Sequence, residues 1–347
     1  MTSAVFAIPG NIDLPTGGYI YDRRVLALLP GLGVTVRHLA LPGSFPAPTA
    51  ADLAETERLL AALPADGAVV IDGLAYGAMP AELVARVRAA IVALVHHPLC
   101  LEAGLPPARQ RQLKDLETAA LALARKVVTT SPTTARTLAA DFAVPAHKIT
   151  VAEPGTDPAP RATGTGSPVQ LLAVGAVVPR KAYDLLVRAL SPLADRDWRL
   201  TMAGPTDRSA EALAALRAAL LEGGLGHRVT LLGAVDQQRL AELYAKADIF
   251  VMSSLYEGYG MVLGEAMARG LPIVCTTGGA AAETAPDTAA IKVPPGDQAA
   301  LTAAIGRLID EPDLRARMAD AAWAAAQGLP RWEDTARAIA NVIKGLG

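Results

Sequence analysis

The chain has 347 residues, 52% of them hydrophobic, which is enough for two domains of ordinary size. A formal net charge of −2 offers no electrostatic footprint for nucleic acid. Its two cysteines, Cys100 and Cys275, lie far apart without metal-ligand spacing, which excludes a disulfide framework and suits a reducing compartment.

The N-terminus lacks a basic region with a long apolar core, and no apolar run approaches the roughly 20 residues needed to cross a bilayer. A soluble, cytoplasmic protein is expected, with peripheral membrane contact left open. Ala4 to Ile8 reads as an opening strand broken by Pro9-Gly10. A loop from Asn11 ends in Gly17-Gly18, and Tyr19 to Leu29 forms the next helix. A glycine pair between strand and helix is either a tight turn or a stretch of exposed backbone amides. Val34 to Leu41 is the second strand, Ala50 to Leu63 a helix, and Ala68 to Ile71 a third strand closed by Asp72-Gly73. Asp72 suits a turn cap at the edge where ligands bind such sheets.

A helix over 81–90 leads to a fourth strand, Ile91 to Val95, which stops at His96-His97-Pro98. The histidines read as metal ligands, an acid/base pair or hydrogen-bonding residues. No third ligand stands at metal spacing, which argues against a metal. Leu105 to Lys126 carries Arg109, Arg111, Lys114, Arg125 and Lys126 among apolar residues. Asp115 and Glu117 dilute that charge, so a solvated helix face is expected rather than a membrane-binding one. Val127 to Ser131, a helix from Thr133 to Phe142 and a strand from Lys148 to Val151 complete a first domain at 1–157.

Residues 158–168, rich in Pro, Gly and Thr, read as a linker to a second domain at 169–330. Leu171 to Val174 begins another sheet, joined through Gly175 to Lys181 to a helix at Asp184 to Leu190. Arg180-Lys181 is ordinary solvated surface or, beside a phosphate-binding turn, a way to neutralise a diphosphate without a metal. Arg199 to Ala203 ends at Gly204-Pro205, a helix covers 209–221, and Val229 to Gly233 is a further strand and turn. After a helix over 237–246, Ile249 to Met252 reads as a buried parallel strand.

Glu257-Gly258-Tyr259-Gly260 is then a turn, and a helix runs from Met261 to about Arg269, closed by Gly270 and Pro272. Pro272 to Cys275 leads to a second glycine turn, Gly278-Gly279. Amides from Gly258 through Met261 and Val262 would lie at a helix N-terminus, where phosphate is favoured. Glu257 and Glu265 flank that point and would accept hydrogen bonds from hydroxyls at the two ends of a sugar diphosphate. On their own they read equally well as a surface Glu and a buried, paired Glu on a capped helix.

Ser254, Glu257, Gly258, Tyr259, Gly260, Glu265, Ala266, Met267, Ala268, Gly270, Pro272, Ile273 and Val274 stand in the register of a known signature. This long, fixed spacing resembles the donor site of retaining, family-4 glycosyltransferases of the GT-B fold (glycosyl transferases group 1). The resemblance implies two Rossmann-like α/β domains facing across a cleft, with a final helix, 331–347, returning to the first. It implies a nucleotide-diphosphate sugar as donor and no cofactor; the acceptor is not specified. Gly17 and Gly18 would lie near the donor phosphates. His96, preferred over His97 because it directly follows its strand, would hydrogen-bond the donor sugar. Lys181 fits the family's Lys position, whereas Arg180 stands only near that of the family's Arg. Gly204, Gly233 and Val235 fall on the nucleotide side, and Gly279 and Asp72 are further candidates. Three rivals remain at this point: a sugar-nucleotide epimerase, a phosphorylase carrying pyridoxal phosphate on a lysine, and a binding protein without catalysis. A nicotinamide dehydrogenase is disfavoured, since no G-x-G-x-x-G follows any predicted strand.

Overall fold

The computed structural model describes residues 2–346. It contains two sheets of six strands each, parallel throughout. The first is built from β1 (Thr2–Pro9), β2 (Val34–Leu41), β3 (Ala68–Asp72), β4 (Ala90–Val95), β5 (Lys126–Thr129) and β6 (Ile149–Val151) in the order 2-1-3-4-5-6. The second comprises β7 (Val169–Val174), β8 (Trp198–Ala203), β9 (Val229–Leu231), β10 (Ile249–Met252), β11 (Ile273–Thr276) and β12 (Ala290–Val293) in the order 12-11-10-7-8-9.

The pattern behind this architecture is continuous apolarity rather than alternation. Every residue of AVVID in β3, IFVM in β10 and IVCT in β11 is buried, as strands covered on both faces require. Alternate residues of β10 serve separate cores. Ile249 and Val251 pack in one apolar cluster, Phe250 and Met252 in another. In each sheet the winding direction reverses beside its first strand: β1 lies between β2 and β3, and β7 between β10 and β8. Reversal leaves a crevice at the carboxyl ends, because the connections on its two sides depart in opposite directions.

The chain divides into two compact units, one reaching Gly155 and resuming at Pro330, the other spanning Thr156–Leu329. The last helix, Trp332–Lys344, belongs to the first unit and packs against α1 (Gly17–Leu28). Trp332 is buried there, its ring centre 5.9 Å from that of Tyr21. Thr335 Oγ1 donates to the Glu153 carbonyl at 2.6 Å, and a Cβ on Gly155 would overlap the Trp332 backbone.

Several expectations need correction. The helix over 81–90 is only Ala81–Val84, because β4 already begins at Ala90. The helix after Gly260 stops at Met267. Glu117, read as a solvated charge, is buried and accepts the Leu99 amide at 2.9 Å. Residues 158–168, expected as the linker, fall within the second unit and are hydrogen-bonded to it. The Asp248 carboxylate accepts from the Thr165 amide at 3.1 Å and the Gly166 amide at 3.0 Å, and the Ala162 amide donates to the Arg269 carbonyl at 2.8 Å. The Pro, Gly and Thr content recorded a lack of apolar side chains, not a lack of partners. Val293 to Asp297 reads from sequence as a turn and helix N-cap, and Asp297 does cap the helix Gln298–Asp310, its Oδ1 accepting the Ala300 amide; β12 and the helix Pro312–Ala326 had no sequence reading.

Candidate active site

The reversal between β7 and β10 places two loops side by side. Arg180 and Lys181 follow β7, and Glu257 follows β10. The loops are stitched by backbone: the Leu255 amide donates to the Arg180 carbonyl at 2.7 Å, and Ser253 Oγ donates to the Lys181 carbonyl at 2.8 Å. Within this frame Lys181 Nζ lies 2.7 Å from Glu257 Oε1, and Arg180 Nη1 lies 2.9 Å from Glu257 Oε2. Arg180 Nη1 also donates to the Tyr256 carbonyl at 2.8 Å. Burial alone would raise the Glu257 pKa, but the Lys181 and Arg180 charges outweigh it and hold the carboxyl down at about 2. Two cations on one ionised carboxylate leave a net positive charge in a mostly buried corner, an arrangement suited to an incoming anion.

The second glycine turn supports the first. Glu257 bridges to Gly279 as a short parallel contact, with the Glu257 amide donating to the Gly278 carbonyl at 3.1 Å and the Ala280 amide to the Glu257 carbonyl at 2.9 Å. A Cβ on Gly278 would overlap the Leu255 carbonyl, and one on Gly279 the Glu257 carbonyl. The glycines at 278 and 279 are therefore explained by the close approach of two backbones. Gly260 takes the left-handed conformation, φ +87°, to start the helix Met261–Met267. Met261 and Val262 occupy that helix's first turn, behind Gly258 and the buried Tyr259. At seven residues the helix contributes a weaker dipole than the longer one the sequence implied. Glu265 is half-buried, and its Oε2 accepts from the Tyr244 hydroxyl at 2.9 Å. Burial raises its pKa, opposed by Tyr244 and Arg269. Tyr244, which no sequence argument singled out, is in turn covered by Arg269, 4.4 Å from its ring centre. At the neighbouring strand ends, the Gly204 amide donates to the Gly233 carbonyl at 2.8 Å, and Val235 is half-buried beyond it.

The first unit gathers a second cluster at its own reversal. His96 follows β4, Asp72 ends β3 and Asp22 lies on α1. His96 Nε2 is 3.2 Å from Asp72 Oδ2 and 3.4 Å from Asp22 Oδ1. Asp72 also caps a helical turn, its Oδ1 accepting the Leu74 amide at 2.8 Å, as its position suggested. Burial works against the charge on His96, yet the two carboxylates outweigh it and hold the imidazolium well above its ordinary range. Burial pushes Asp22 upward, with Asp72 adding and His96 opposing. Gly18 comes close as well: a Cβ there would meet the His96 ring at 3.4 Å. Gly17 and Gly18 form the first turn of α1, capped by Thr16, rather than a loop before it. His97 points elsewhere, its Nε2 3.1 Å from Glu102 Oε2.

Asp22 escaped the sequence reading. The available signal was a charge inside the apolar stripe of α1, where Tyr21, Val25 and Leu29 are all buried. The spacing argument against a metal also falls, because the fold brings two distant carboxylates to His96.

Comparison with known proteins follows this geometry. The glycosyl transferases group 1 profile covers residues 168–311, spanning the second sheet, and a glycosyl transferase 4-like domain profile covers 14–155, spanning the first sheet from β2 onward. The chain belongs to the group 1 glycosyl transferases. It is 29% identical over 299 residues to the MMP alpha-(1->4)-mannosyltransferase of Mycolicibacterium hassiacum, covering 80% of this chain and 70% of that one. Against two other curated relatives the chain spans less, 43% and 58% of their length. Sucrose-phosphate synthase from Thermosynechococcus elongatus superposes with a TM-score of 0.82 at 21% identity, covering 99% of each chain. HepE of Anabaena, solved with UDP and glucose, gives a TM-score of 0.76 at 16% identity over 99% of this group 1 chain and 100% of its own. These likenesses establish a GT-B fold of two Rossmann-like domains. Among the described residues, no helix is long and apolar enough to cross a membrane.

Proposed function

We propose that this group 1 glycosyl transferase moves a sugar from a nucleotide-diphosphate donor to an acceptor, with retention of configuration and without a divalent metal. The observation that carries the reading is the Arg180–Lys181–Glu257 cluster at the reversal of the second sheet. Its excess positive charge would attract a donor diphosphate and stabilise the departing phosphate in the transition state. A leaving group held this way can take the acceptor's proton on the same face, which accounts for retention without a protein nucleophile. Glu265, half-buried and bonded to Tyr244, would take the ribose, and Glu257 the sugar end. In the first unit His96 would meet the donor sugar and Gly17 and Gly18 its phosphates; in the second, Gly204, Gly233 and Val235 would take the nucleotide side. The family and the UDP and glucose bound to HepE support a nucleotide-sugar donor. We place the enzyme in the cytoplasm, since both cysteines are buried free thiols.

The test is transfer from UDP, GDP and ADP sugars, followed by the anomeric coupling constant of the product. Retention and undiminished turnover in EDTA are expected. Inversion, or a loss reversed by a divalent ion, overturns the corresponding part. Lys181→Ala should cost about 2–4 kcal/mol of transition-state stabilisation, the usual loss for one electrostatic donor. Unchanged turnover removes Lys181 from the site.

A further inference from the structure

We propose that Asp22 is a positioning residue that fixes the His96 ring and keeps it cationic for the transfer reaction. The inference rests on the glycosyl-transfer reading and adds to it a group outside the donor signature. Asp22 is fully buried on α1, and neither of its oxygens has a hydrogen-bond partner, although His96 Nε2 lies 3.4 Å from Oδ1. A buried carboxylate without a donor is costly, so its retention at this point calls for a compensating charge. The imidazolium supplies it. Asp72 faces the same nitrogen at 3.2 Å from β3, so Nε2 is shared between two carboxylates. Tyr21 closes the ring edge-on, with centres 5.1 Å apart, while its hydroxyl donates to the Ala152 carbonyl at 2.9 Å. The Tyr21 phenol, raised far above its ordinary range by burial and by Asp22, stays neutral and adds no charge. The His96 carbonyl is anchored by Thr130 Oγ1 at 3.0 Å. Nε2 faces both carboxylates at ion-pair distance without a hydrogen bond to either, so the ring is held by charge rather than by a directed bond.

One carboxylate suffices to pair with His96, and the second tightens its hold on the proton. Asp22→Asn keeps the volume and removes the repulsion between Asp22 and Asp72, so the fold should tolerate it. Two readouts test the proposal in the intact chain. In the substrate-free protein, nitrogen-15 NMR of the His96 imidazole should show its titration moving down by a unit or more in Asp22→Asn. In turnover, the alkaline limb of the kcat/KM profile should move down by the same amount, so that the loss reaches about 10-fold per unit moved on the alkaline side of the wild-type limb and vanishes toward neutral pH. Asp22→Glu should restore most of the limb. An unmoved His96 titration overturns the proposal, as does a uniform loss of rate at every pH. If no nucleotide sugar is ever turned over but the His96 titration moves, the transfer reading fails while Asp22's hold on the proton stands.

Discussion

Glu257 is held by two cations whose own positions depend on the loops around it, and this makes its charge a stability determinant as well as a site feature. Its folded pKa of about 2 lies below the ordinary 4.5. The contribution is therefore present above pH 4.5, where the unfolded carboxyl is also ionised. It is lost as pH falls toward 2 and the folded group must be protonated. A difference of that size corresponds to about 3 kcal/mol at most. Glu257→Gln should remove this acid-dependent component, so wild type and variant should converge in stability between pH 4.5 and pH 2. Parallel acid-unfolding curves for the two would contradict the pairing. Glu257 stood out in the sequence because a glycine-rich turn frames it, and Arg180-Lys181 stood out through the resemblance. Their own residue types left surface and phosphate site equally open, since nothing in a linear chain reveals that a loop 76 residues away will bury Lys181 against Glu257. Asp22 was hidden for the same reason: His96 and Asp72 reach it only through the order of the strands.

At the scale of elements, the legible ones were those whose burial imposes a pattern. β10 occupies the residues its apolar run marks, because a strand covered on both faces admits few polar side chains. Helices were less legible where packing overrode composition, as Pro107–Leu123 shows. Arg111, Lys114 and Asp115 form the expected solvated face, whereas Glu117 turns inward with Leu113 and Leu121. Burial pushes the Glu117 carboxyl up to about 8, only partly offset by the Leu99 amide. A raised folded pKa favours folding below pH 4.5, and that advantage disappears as pH climbs to 8. At neutral pH the folded state keeps a proton that the unfolded chain would release, at a cost of about 2–3 kcal/mol. Glu117→Gln retains an acceptor for Leu99 and removes the titration. The variant should therefore gain stability relative to wild type as pH rises from 5 to 8, with little difference at pH 5. Thermal melts across that range decide it, and a difference independent of pH would place Glu117 outside this account.

For the whole molecule, the two units carry different chemistry, and this gives a test of how the labour is divided. The second unit holds the cationic pair and Glu265; the first holds a buried imidazolium between two carboxylates. A free nucleotide diphosphate contains the ribose and the diphosphate but no transferable sugar. If Glu265 receives the ribose, Glu265→Gln should weaken binding of nucleotide and nucleotide sugar by similar factors, about 10-fold each for one charge-assisted hydrogen bond. The Tyr244 hydroxyl can still donate to the Gln carbonyl, so the loss would not come from a collapsed pocket. If His96 instead meets the sugar, His96→Gln should leave nucleotide affinity near wild type and lower kcat. Calorimetric titration of both variants with the nucleotide alone, beside turnover with the full donor, separates the two roles. Nucleotide affinity lost equally in both would mean that the imidazolium contacts the part of the donor shared by both ligands. Affinity unchanged in Glu265→Gln would make that carboxylate a structural partner of the Tyr244 hydroxyl instead.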